Sequence, residues 1–330
     1  MFVKSFGIYP SKSLLYKYIH NYQEKSMRSF FASIILAIST SISASETITI
    51  RSPYDHNHAG NSALQSIIQV ANQNQSEYKF VLISHPGGQG TVALSKVEPL
   101  KDIALIHPSF VQNSIAGTVK EKNWVPVGAL GDACFLLLSQ RGDSKEGIRS
   151  LKKSSGPFMM GVVGLGSAAH LVALEISSTI DVIIDPVMFK SAGEAILTMV
   201  AQDEMTMAMG TVTQLRTLSS KKGSVTPLAA FCPTRHPDLP EVSTMQEQGI
   251  KTPLIFNILV ASVEMPKFKR DQISRIWDSA SKAVGKDTIF AQSGFISPHF
   301  QNISIEDYYR QRISDMHRAL EKHKGKVIAK

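Results

Sequence analysis

Apolar and polar residues along this chain follow two alternating rhythms. Thr47-Ile-Thr-Ile-Arg51 alternates with the period of a half-buried strand. Ser62 to Asn74 then places Ala63, Leu64, Ile67, Ile68 and Ala71 on one helical face. The succession recurs, with strands predicted at residues 78–83, 103–106, 134–138, 158–163, 181–184, 205–209, 227–231 and 256–261. Helices are predicted at residues 91–97, 167–177, 192–202, 266–284 and 305–323. Ser304 with Asp307, and Thr244 with Glu247, have the spacing of helix-capping pairs. Strands alternating with helices predict an α/β architecture with mainly parallel sheets flanked by helices. Such sheets hold ligands at the carboxyl ends of their strands, which draws attention to the loops 52–61, 85–91 and 164–170. Helix N-termini there offer unpaired N–H groups and a favourable dipole, which suits a carboxylate.

The first 45 residues break the rhythm. Lys25 and Arg28 precede the apolar run Phe30 to Ile42, whose 13 residues fall short of the roughly 20 a membrane-spanning helix needs. Small residues (Ser41, Ser43, Ala44, Ser45) follow, and then Glu46. This is the pattern of a secretory signal peptide at about 27–45, preceded by an N-terminal extension, and it predicts export to the periplasm. The whole chain carries a net charge of +8. Removing Lys4, Lys12, Lys17, Lys25 and Arg28 together with Glu24 leaves about +4, too small an excess to imply nucleic acid. Cys134 and Cys232 lie in strand-like segments. An exported protein permits a disulfide, but two strand cysteines meet only if their Cβ vectors agree, so the sequence leans to free thiols and leaves the pairing open. No Cys/His cluster has zinc spacing, and no metal site is expected.

The most chemical-looking stretch is Gly164-Leu-Gly166-Ser167-Ala-Ala169-His170 after a predicted strand. Read as G-x-G-x-x-A, with Asp181 or Asp185 further on, it imitates a dinucleotide fingerprint, so a nucleotide-dependent oxidoreductase using Gly164–Ala169 is one alternative. The other reading is an anion-binding turn, in which Gly166 allows close backbone approach and Ser167 offers a hydroxyl at a helix start. Ser167 has no G-x-S-x-G elbow around it, and no catalytic constellation or cofactor is expected.

The segment 164–171 is similar to the G-x-G-[ST]-x-x-H-L motif of the Bug family, the substrate-binding receptors of tripartite tricarboxylate transporters. Phe189-Lys190 before an Ala/Gly stretch resembles that family's Y-K-G-x-x-P-A segment. Arg235-His-Pro237 to Thr244, with Glu247 and Gly249, resembles its R-x-P-x-L-P-[DE]-V-x-T…E-x-G block. Pro86-Gly87-Gly-Gln-Gly90 corresponds to its R-P-G-A-G-G loop. The likeness runs in order from residue 47 to about 325. It implies a type II periplasmic-binding-protein fold with a hinge, lobe one holding 46–138 plus 257–330 and lobe two 139–256. It also implies a small carboxylate gripped between the lobes by backbone amides and hydroxyls, and membrane transporter subunits or a sensor as partners. The L-P-E-V block reads as structural, its prolines fixing the loop before a capped helix.

Two departures alter the expected ligand. The family's first loop, P-F-x-x-G-G-x-x-D, here reads Pro53-Tyr54-Asp55-His56-Asn57-His58-Ala59-Gly60-Asn61. Its F-D-N segment has become Met209-Gly210-Thr211. His56 and His58 fit a solvated loop, or a role as donors to a carboxylate and stacking partners of Tyr54. The expected ligand contacts are Tyr54, Asn57, His58, Asn61, Gly87, Ser109, Gly166, Ser167, His170 and Thr211. A module whose altered loop takes another ligand, or none, is the remaining alternative.

Overall fold

The computed structural model describes residues 45–56, 58–202, 205–219, 225–284, 294–296 and 302–327. The expected signal peptide, the extension before it and Asn57 lie outside the described residues. Among the described residues, no helix is long and apolar enough to cross a membrane.

The first sheet contains β1 (Glu46–Ser52), β2 (Tyr78–Ser84), β3 (Asp102–Ile106), β4 (Trp124–Ala133), β10 (Ile255–Ser262) and β11 (Phe295–Ile296), in the order β11-β4-β10-β3-β1-β2. The second contains β5 (Phe135–Ser139), β6 (Phe158–Val162), β7 (Ile184–Met188), β8 (Met207–Gly210) and β9 (Thr226–Phe231), in the order β7-β6-β8-β5-β9. Strands β1, β2 and β3 run parallel, as do β6, β7 and β8, while β10 runs against β3 and β5 against β8. The sheets are therefore mixed: parallel strands form one side of each, β3-β1-β2 and β7-β6-β8, and antiparallel pairing completes the other, where the strand–helix alternation predicts mainly parallel sheets.

Helices cover both faces of each sheet. On the first, α1 (Ala59–Asn74) and α7 (Lys267–Val284) bury Leu64, Ile67, Ile273 and Trp277 against Ile48, Ile50, Ile103 and Leu105. The other face takes α3 (Ser109–Ile115) and α8 (Ile305–Lys322), through Phe110, Tyr308 and Met316 against Ile106, Ile258 and Val260. Neighbouring residues of β3 thus feed opposite cores, which explains why Asp102–Ile106 is buried throughout. In the second sheet, α4 (Ala168–Ile180) packs on one face, and α5 (Ala192–Ala201) and α6 (Val212–Ser219) on the other. The short helices α2 (Thr91–Ser95) and α9 (Lys324–Val327) complete the helical set among the described residues.

The chain passes between the sheets twice, from β4 to β5 at Cys134 and, after the segment that follows β9, back into the first sheet at β10. Residues 135–138, expected with lobe one, instead belong to β5 and pair in the second sheet, so the first crossing falls at Cys134. Phe135 lies opposite Phe231, which brings the next residues outward, Cys134 and Cys232, to a Cα separation of 4.6 Å. The two form a disulfide, correcting the leaning towards free thiols: an antiparallel register fixes the Cβ directions that linear sequence leaves unknown. A second correction concerns residues 244–249. Thr244 and Glu247 exchange capping bonds, and Arg235 grips the Glu247 carboxylate from both oxygens, but the segment closes as an isolated turn and not a helix.

Helix α8 binds both halves. Near its start, Arg312 makes a buried bidentate pair with Asp132 of β4, joined by the Tyr308 hydroxyl at 2.7 Å. At its end, Lys322 and the following His323 converge on Glu175 of α4, all three contacts within 2.7–2.8 Å and Glu175 buried.

Candidate functional site

The carboxyl ends of β1, β2 and β3 share one edge of the first sheet, and the antiparallel β10 brings its start to that same edge. Three loops rise from it: 53–58 after β1, 85–90 after β2 and 107–108 after β3. The corresponding edge of the second sheet carries the turn 163–167 after β6. These edges touch. Gln112 Nε2 donates to the carbonyl of Leu165. Gln89, held by its carbonyl to Asn113 at 3.1 Å, lies so close that a Cβ on Gly164 would sit 2.6 Å from its Nε2. Gly166 has φ +75°, and a Cβ there would also meet Gln112, so glycine is required for both backbone and space.

Within the first loop, Tyr54 stacks on His58 with ring centroids 3.8 Å apart and lies 5.8 Å from the ring of His107. The stacking expected for the His58 imidazole is therefore present. His58 is the N-cap of α1, its Nδ1 accepting the Gly60 N–H at 3.0 Å. Its backbone is extended (φ −72°, ψ 138°), so no left-handed strain follows from replacing a glycine there. Burial lowers the pKa of His58 to about 4 against a weaker opposing pull from Asp55. Burial likewise takes His107 to about 4, with His58 adding to the effect. Both imidazoles are neutral at pH 7. The Tyr54 hydroxyl donates to Asn257 Oδ1, and burial raises its pKa well above the usual phenol value.

Asn61 has no polar atom to spare. Its Oδ1 accepts from Ser52 Oγ at 2.6 Å, and its Nδ2 faces the carbonyl of Asp55 at 2.8 Å, Ser84 Oγ at 3.0 Å and the carbonyl of Tyr54 at 3.3 Å. A carboxylate could not donate to those carbonyls, which explains Asn where the resembling family has Asp. Asn61 thus builds the loop wall.

The second-sheet turn is built by its own helix. Ser167 caps α4, its Oγ accepting the His170 N–H at 3.4 Å, and His170 Nδ1 accepts the Gly166 N–H at 2.9 Å. His170 is buried behind the turn, and its pKa is lowered by that burial and by the charges of His323 and Lys326. This arrangement opposes a dinucleotide role: the Gly166 amide that would meet a pyrophosphate is already given to His170. Asp185 pairs in register with Met159, three residues or roughly 10 Å back from the end of β6. Asp181 is the left-handed C-cap of α4, at the far end of that helix from the turn.

The remaining expected contacts are dispersed around the edges. Gly87 (φ +115°) starts the tight 88–90 turn. Ser109 opens α3, its N–H donating to His107 Nδ1 at 3.3 Å. Thr211 caps α6, with Thr211 N–H and hydroxyl both donating to Gln214 Oε1 and the Gln214 N–H returning to Thr211 Oγ1. Sequence reasoning missed His107, Gln89, Gln112 and Asn257. Of these, Asn257 carried a readable signal, a lone amide inside the apolar run Phe256–Ala261. Two cavities of about 670 and 530 Å³ lie elsewhere, beside Cys232 under α8 and between α7 and β4. Among the described residues, no group of three His, Cys, Asp or Glu side chains converges as metal ligands do.

No protein-family profile matches the sequence, and no curated protein matches it either. In fold the chain is similar to the periplasmic binding protein BugD, at a TM-score of 0.65 and 18% identity, over 85% of this chain and 97% of that one. A Rhodopseudomonas palustris protein solved with adipate has a TM-score of 0.67 at 17% identity, over 86% of this chain and 98% of its own. MatC from the same organism, solved with bound malate, has a TM-score of 0.61 at 16% identity, over 84% and 98%. The chain is therefore a two-lobed α/β protein with the fold of the periplasmic binding protein BugD and these structural neighbours.

Proposed function

We propose that this chain is an exported solute-binding receptor that captures a small carboxylate between its two sheet edges and performs no chemistry on it. The observation that carries the reading is the apposition of the 163–167 turn to Gln89 and Gln112, on the same sheet edge that carries the Tyr54–His58–His107 cluster, in a fold shared with proteins solved with adipate and malate. Capture begins at the first-sheet loops, and hinge closure brings the Cα face of Gly166 and the Ser167 hydroxyl onto the ligand, the Gly166 amide staying with His170. Closure excludes water and strengthens each hydrogen bond to the anion. A membrane transporter or sensor then reads the closed form. On this reading the ligand contacts are Tyr54, His58, Gly87, Ser109, Gly166, Ser167 and Thr211, and Asn61 and His170 support them.

The test is thermal unfolding of the full-length protein with a panel of carboxylates, amino acids and nicotinamide dinucleotides. A ligand at about 100 times its dissociation constant stabilises by roughly 2.7 kcal/mol, a shift of several degrees. A shift with a carboxylate supports capture. A shift with a dinucleotide alone overturns it in favour of an oxidoreductase, and no shift at all favours a module whose altered first loop has changed its ligand.

A further inference from the structure

Asn257 lies in β10 between Phe256, opposite Asp132, and Ile258, opposite Ala129, where the pairing with β4 shifts register. Ile258 also faces Ile106, so Asn257 sits at the carboxyl end of β3, level with the loop that carries His107. It is completely buried. Its Oδ1 accepts the Tyr54 hydroxyl, and its Nδ2 is a buried donor without a hydrogen-bond partner among the described residues. A buried amide left in this state carries a desolvation penalty, so it persists where something outside the fold offsets it.

The two imidazoles of this sheet edge share one polarity. His58 Nδ1 accepts from Gly60 and His107 Nδ1 accepts from Ser109, so in each ring the remaining proton is on Nε2. The rings flank Tyr54, whose hydroxyl is already committed to Asn257. Burial keeps both imidazoles uncharged at neutral pH. The groups around Asn257 thus offer neutral N–H donors, while the one buried acceptor at the apposed edges without a partner among the described residues, Gln112 Oε1, lies beside the 163–167 turn.

Building on the receptor reading above, we propose that Asn257 Nδ2 is the specificity-determining donor of this site, reading a carboxylate oxygen together with the Nε2–H groups of His58 and His107. The first loop's Tyr54 orients the amide by fixing its oxygen, so that the nitrogen turns to the ligand. An anion held by neutral donors gains charge-assisted hydrogen bonds without a buried counter-charge.

Two variants test this against the wild type, by calorimetric titration with adipate, malate, succinate and glutamate. Asn257→Asp keeps an acceptor for Tyr54 and replaces the donor by a second acceptor. Tyr54→Phe with Asn257→Leu removes both polar groups together, which leaves no orphan, so this double variant should melt no lower than the wild type. Loss of about 10- to 100-fold in carboxylate affinity in the double variant, with melting retained, is the expected result. A wild type that binds a carboxylate and a folded double variant that binds it within threefold would overturn the role of Asn257 and leave the receptor reading standing. A wild type that binds none of the four would overturn both.

Discussion

The two loops that face each other across the cleft use the same device with different consequences. In each, an imidazole Nδ1 accepts a nearby backbone N–H: Gly60 for His58, two residues on, and Gly166 for His170, four residues back. His170 is buried behind its turn, so its ring serves only to hold the backbone and the helix start. His58 is half-buried and stacked on Tyr54, and its Nδ1 alone is taken up by the backbone. The second-sheet turn is thus stiffened mainly by its own helix, with one bond from Gln112 to the Leu165 carbonyl added from the facing edge. The first loop depends on distant partners, Ser84 through Asn61 and Asn257 through Tyr54. One loop is a fixed anvil, and the other is a surface whose chemistry the rest of the sheet adjusts.

Acid should break this contrast most strongly. His58 and His107 have folded pKa values of about 4 against an ordinary 6.5, so the unfolded chain binds more protons between those limits. Their contribution is complete above about pH 6.5 and is lost as the pH falls through about 4, on the order of several kcal/mol for the pair. His58→Asn keeps a capping side chain but removes one titration, and denaturant melts at pH 7 and 4.5 should then differ less than in the wild type. Next, His170→Ala should destabilise by about 3 kcal/mol at pH 7, through a cavity and an orphaned Gly166 amide, measurable as a lower urea midpoint. Asn61→Asp should lose about 2 kcal/mol at pH 7, because its carboxylate faces two carbonyls. That deficit relative to wild type should shrink at low pH, where the protonated acid can donate once. Ser167→Ala is the smallest, about 1 kcal/mol for a lost helix cap, and a larger loss would mean that the hydroxyl holds more of the turn than the His170 amide.

What could be read in advance separates along the same line. The alternation in 47–51 and the Ser304 cap were legible because strands and caps are local, and Ser304 does accept the Asp307 N–H at 3.1 Å. The spacing from Gly166 to His170 is also local, one helical turn, and the sequence marks both residues. Illegible were the pairings of Asn257 with Tyr54, 203 residues apart, and of Cys134 with Cys232, 98 apart, since both depend on strand order and register. Asn61 was expected at the end of the loop and stands instead in the first turn of α1, and its saturation came from Ser52 and Ser84 on two different strands. The turn at 244–249 shows the reverse limit: a correct capping pair cannot extend a helix when Gly249 (φ +82°) ends the segment.

The bond between Cys134 and Cys232 has a mechanical meaning. It ties the residue before β5 to the residue after β9, two strands already paired in the second sheet, at the place where the chain arrives from β4. The bond works as a rivet at the corner of a panel: β5 cannot be peeled from β9 at that end, and a pull transmitted along β4 is delivered to two strands at once.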